Sequence, residues 1–144
     1  MPQKKKHGAR QKKSLRVPVT RGLKDIYAMD MHLAYQAACL GQFNVTAFGR
    51  LAAAISVIRS ALEFRQTRLP LAIETLDGAI AILLEVRHRG DESGDWRIDE
   101  EDRPAMLNAI HMAEECIGTL DVALLAQTAA QLLQQVYDES AAET

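Results

Sequence analysis

From residue 20 onward, apolar residues in this chain return at intervals of three and four, a spacing that gathers them on one side of a helix and scatters them on a strand. Thr20 can cap a first helix that carries Ile26, Met29, Leu33, Ala37 and Leu40 in one row, and Gly41 supplies its left-handed stop. A second helix, started by Asn44 or Thr46, carries Phe48, Leu51, Ile55, Ile58 and Leu62. A third starts at Pro70, where a missing N–H costs nothing, carries Ile73, Leu76, Ile80 and Leu83, and ends at Gly90. Asp99 or Asp102 then caps a fourth, with Met106, Ile110, Ala113, Ile117, Leu120 and Leu124 in phase straight through Gly118. Thr128 and Gln131 have the form of a capping box, which predicts a short fifth helix with Ala129, Leu132, Leu133 and Val136.

Rows near a 3.5-residue period joined by short connections predict an all-α antiparallel bundle of four to five helices. The expected organisation is a basic disordered arm over residues 1–19, the bundle over 20–138 and a frayed tail over 139–144. One domain suffices for 144 residues, and with 5% aromatics its core must be aliphatic. Cys39 and Cys116 both fall inside helical patterns and read as reduced, buried small hydrophobes, which suits the cytoplasm. The basic start is followed by no apolar stretch of a signal peptide, and no segment reaches the uninterrupted apolar length of a membrane span.

Charge divides the chain sharply. Residues 1–24 hold nine Lys and Arg and no acid; removing those nine from the 17 basic residues leaves eight, all Arg, against 19 acids, so residues 25–144 carry −11. An anionic polymer would therefore meet the arm, through Lys4, Lys5, Lys6, Arg10, Lys12, Lys13 and Arg16, and be repelled by the body. Arg59, Arg65 and Arg68 either extend that basic surface or complement a helix C-terminus.

Catalytic and metal-binding patterns are not supported. Glu85 and His88 form one Glu-x-x-His, where a di-iron bundle needs two such pairs and two further Glu. His111 with Glu114 or Glu115 reads as a local surface pair, and His32 beside Asp30 as a partly exposed helical histidine. The acids from Asp91 to Asp102 lack the alternation of a calcium loop and read as a solvated segment favouring a helix N-terminus. No nucleophile elbow or phosphate loop is present. The sequence thus calls for no cofactor, no metal and no membrane. Trp96, leaving the Gly90–Asp95 loop cluster, either folds back with Ile98 over the end of the bundle or serves as an interaction anchor.

The Lys-rich opening, the segment Val17-Pro-Val-Thr-Arg-Gly-Leu23, and the segment Arg89-Gly-Asp-Glu-Ser-Gly-Asp-Trp-Arg-Ile-Asp99 leading into a helix with His111 resemble a group of short helical bacterial proteins often labelled Fis-type transcriptional regulators. The resemblance implies a helical fold and carries no function over. Fis proteins place a C-terminal helix-turn-helix in the major groove, whereas from Ile110 onward this chain has only acids among its Asp, Glu, Lys and Arg residues, so no functional residue is carried over. The first functional expectation is a small non-enzymatic regulatory protein attached to DNA or RNA through its arm. The alternative is a protein-interaction module, an inhibitor or adaptor, docking through its acidic helical surface. The oligomeric state is open, and self-association is compatible with the sequence.

Overall fold

The computed structural model of the protein describes residues 19–64 and 69–143. Five α-helices make it up: α1 (Arg21–Cys39), α2 (Val45–Phe64), α3 (Pro70–Ser93), α4 (Arg103–Ile117) and α5 (Val122–Glu143), with a 3-10 turn over Glu100–Asp102. No strand occurs among the described residues, and the all-α antiparallel bundle is the architecture of the chain. Arg65, Arg68 and the seven arm residues proposed for nucleic acid lie outside the described residues.

Local chemistry sets most boundaries. The Thr20 hydroxyl accepts the Leu23 N–H at 3.2 Å, and the Asn44 side chain accepts the Ala47 N–H at 2.9 Å, so each satisfies an orphan donor of its helix. At the end of α1 the Gln42 N–H reaches the Ala37 carbonyl at 2.7 Å and the Gly41 N–H reaches Ala38 at 3.2 Å, with Gly41 at φ +72°. This paired closure requires the left-handed conformation that glycine adopts without steric cost.

Helix α2 is the centre of the bundle. It packs against α1, α3, α4 and α5, and α4 closes the ring by contacting both α1 and α3. Leu51, Ile55, Ile58 and Leu62 of the expected row are fully buried, as are Leu76, Ile110 and Met106 facing them from α3 and α4. By length and composition α2 also resembles a membrane span, with a mean hydropathy of 1.4. Its central position in the bundle accounts for that apolarity.

Four boundaries and faces differ from expectation. In α1 the row Ile26, Met29, Leu33 and Leu40 points outward, while Met31, Ala34 and Ala38 are buried with Tyr27 and Tyr35 half-buried beside them. Two apolar rows compete on this helix, and the one with small residues wins because Ala34 and Ala38 let the α1 backbone approach its neighbours closely. Gly90 does not end α3; the helix continues to Ser93 and stops at Gly94, φ +76°. Helix α4 ends at Ile117, because the Thr119 hydroxyl and N–H both turn back to the Cys116 carbonyl, at 2.7 and 2.9 Å, and Asp121 caps a new helix through the Leu124 N–H at 2.7 Å. Thr128 accordingly sits inside α5, buried, donating to the Leu124 carbonyl at 2.7 Å, and caps nothing. Two smaller differences follow: α5 runs to Glu143 in place of a frayed tail from residue 139, and Cys39 is exposed while Cys116 is buried.

Candidate binding surface

Beside α2, a groove of about 800 Å³ opens between α1 and α5. Its floor comes from Ala53, Ala54 and Val57 on α2, and the smallness of that run is what leaves the space. Ile26 and Tyr27 of α1 form one wall, Leu132 and Leu133 of α5 the other. Helix α5 reaches this position because the break at Gly118–Asp121 turns the chain back across α2. Asp30, Arg50 and Arg87 supply the charge at the edges. Burial, with the neighbouring Asp30 carboxylate adding to it, pushes the Tyr27 phenol above its ordinary value of 10.0, so it keeps its proton at neutral pH and remains a hydrogen-bond donor. A groove of this size with apolar walls and few polar groups at its rim is suited to receiving an apolar segment.

The groove runs into an exposed apolar surface. Ile26 belongs to both the groove wall and the outward row of α1, and Leu133 on the opposite wall is exposed as well. Sequence reasoning found the α1 row but placed it inside. The signal for the correct face was the second row, Leu23, Tyr27, Met31, Ala34 and Ala38, which continues the same helical period.

The histidines among the described residues fall into two settings. His88 is exposed near the end of α3, 3.4 Å from the Glu92 carboxylate four residues on. His32 and His111 meet across the α1–α4 seam with ring centres 5.7 Å apart at 71°, and His32 Nε2 faces Glu114 Oε1. The local pair expected on α4 is therefore part of an interhelical contact. Among the described residues no group of three or more His, Cys, Asp or Glu is arranged to hold a metal ion.

Among the described residues, Arg59, Arg89 and Arg97 are each paired with carboxylates. Arg59 joins α2 to α3 through Asp77 at 2.7 Å and also meets Glu63; the Asp77 hydrogen bond raises its pKa despite partial burial. Arg89 reaches Asp95 and Asp99, each at 3.3 Å, and Arg97 joins the same two carboxylates. The acidic segment is thus stapled by arginine as well as solvated. Trp96 takes the folded-back position: half-buried, its ring centre is 5.2 Å from Phe48, with Ile98 fully buried beyond it. Comparison with protein-family models, with curated proteins and with solved structures finds no match to this chain.

Proposed function

We propose that the chain is a non-enzymatic interaction module of the cytoplasm whose body receives an amphipathic helix of a protein partner in the groove over α2. The observation that carries this is the alanine-floored groove between α1 and α5, walled by aliphatic side chains that the fold leaves uncovered. Helix-in-groove recognition uses such a surface, with anchors one turn apart entering between two walls. The −11 charge of residues 25–144 favours a partner whose polar face is basic, because complementary potentials raise the encounter rate. A photo-crosslinking side chain at Ala53, compared with one at the exposed Glu74 on α3, tests the reading. Adducts specific to position 53, lost when Leu133→Arg is added on the opposite groove wall, are expected; equal labelling at both positions would sink it.

A second reading rests on the charge division. Seven Lys and Arg with no acid in residues 1–16, ahead of an acidic body, fit attachment to DNA or RNA by counterion release. The Val19 N–H donates to the Leu120 carbonyl at 3.2 Å, so the arm departs from a fixed corner beside the α4–α5 turn. Filter binding of duplex DNA by the full chain, with and without glutamine at those seven positions, separates this reading from a tail that only aids solubility.

A further inference from the structure

The charged side chains at the rim of the groove are unevenly placed along it. Only residues 40–44 connect α1 to α2, so α1 runs back along α2 and brings Ile26 and Tyr27 level with Val57. Across α2, the 2.7 Å bond from Arg59 to Asp77 fixes the antiparallel register with α3. Arg50 lies nine residues before Arg59, and Arg87 ten residues after Asp77. At a rise of about 1.5 Å per residue the two arginines stand at nearly one level, both at the end of the groove away from Ile26 and Tyr27. Arg87 is 3.7 Å from Asp91, with both side chains mostly in water. Arg50 forms no ion pair among the described residues, unlike Arg59, Arg89 and Arg97. Asp30, the acid that lines the groove, stands about one turn nearer the other end.

We propose that the helix received by the groove runs antiparallel to α2, with its C-terminal turn at Arg50 and Arg87 and an Asp or Glu in that turn. This rests on the interaction-module reading and assigns the direction and the end chemistry of the partner segment. Two effects act with the same sign. The unpaired carbonyls of a helix C-terminus carry about half a negative charge, which two arginines attract; the reverse direction would set a positive helix end against them. A carboxylate in the same turn adds charge-assisted hydrogen bonds, for which the planar guanidinium fork is suited. From Arg50 to Val57 the floor runs seven residues, about 10 Å, so two turns of the partner lie over it and place apolar anchors at i, i+3 and i+7 between the walls. The basic polar face favoured by the charge of the body stays on the side turned away from α2, and the acid is confined to the last turn.

A displayed library of short amphipathic helices, selected on the full-length chain, tests the assignment. Leucine is fixed at i, i+3 and i+7, lysine and glutamine fill the polar face, and the first and last turns are randomised. Asp and Glu should be enriched in the last turn and not in the first. Acids are disfavoured in the last turn of a free helix, so their enrichment there reports the arginines and not helix propensity. Joint Arg50→Gln and Arg87→Gln replacement should abolish the enrichment and weaken a selected peptide about tenfold, the equivalent of one charge-assisted hydrogen bond. Both arginines are exposed, so the replacements leave the fold intact, which circular dichroism checks. Among peptides that crosslink at position 53, acids enriched in the first turn, in both turns or in neither would overturn the proposal and leave the interaction-module reading in place. Enrichment that survives the double replacement would overturn it as well. If no selected peptide crosslinks at position 53 above the level seen with Leu133→Arg, both readings fall.

Discussion

Gly90 lies under the indole of Trp96: a Cβ placed on Gly90 would come within 2.4 to 2.7 Å of the ring. Helix α3 therefore carries a buried glycine four residues before its true stop at Gly94, and the ring uses the missing side chain as its seat against Phe48. Gly90→Ala should destabilise the fold by about 1–3 kcal/mol through overpacking, although alanine gains about 1 kcal/mol of helix propensity. Tryptophan emission should shift to the red as the ring is expelled. Gly78→Ala in the same helix meets nothing within 4 Å and should stabilise by up to about 1 kcal/mol. Chemical denaturation of both variants checks the pair, and a neutral Gly90→Ala would disprove the seat.

The glycine is instructive about what the sequence discloses. Helix existence, the Thr20 and Asn44 caps, the Gly41 and Pro70 boundaries and the α2 row are local or strongly periodic features, and each is readable from residues within one or two turns. Gly90 is not, because its reason is Trp96, which reaches it only after the chain has turned at Gly94. The groove was illegible for a similar reason. It depends on which α1 row is buried, a choice between Leu33 and Ala34 made by interhelical distance, and on the break at Gly118, where Thr119 and Asp121 outweigh an unbroken apolar phase.

Truncation of two apolar residues separates the inward and outward faces. Ile110 is fully buried, and Ile110→Ala should cost on the order of 2–5 kcal/mol from lost transfer energy and the cavity left behind. Leu33→Ala should cost less than about 1 kcal/mol because the side chain is already more than half in water. Equilibrium urea unfolding gives both numbers, and a large loss at Leu33 would restore the row to the core.

The two thiols should behave differently. Cys39 is exposed and should react with a disulfide reagent at once; Cys116 is buried, and its modification should await unfolding, roughly a thousandfold slower. Burial, aided by Glu115, raises the Cys116 thiol above its ordinary value of 9.0. The protonated form is thus favoured in the native state, so its contribution leaves stability unchanged below pH 9 and lowers it above, where the unfolded thiol ionises first. Tyr27, raised from 10.0, acts with the same sign at higher pH. Unfolding free energies from pH 7 to 10 should decline at the alkaline end, and Cys116→Ala should remove the part of that decline that begins near pH 9.

The arm makes a prediction about salt. If Lys4, Lys5, Lys6, Arg10, Lys12, Lys13 and Arg16 neutralise phosphates, each contact releases condensed counterions, so the logarithm of the duplex affinity should fall with the logarithm of salt at a slope of about −0.9 per contact. With all seven engaged, affinity should drop by about 10³-fold or more between 50 and 200 mM salt. Such contacts reach no base edges, so unrelated duplexes should bind within a few-fold of one another. Replacing the seven residues by glutamine in the full-length chain should abolish binding and flatten the slope, while the helical signal and the thermal midpoint stay unchanged, because none of the seven belongs to an apolar row of α1–α5. Binding that survives the replacement would locate the nucleic-acid contact on the acidic body, where the −11 charge opposes it, and would exclude the arm as its source.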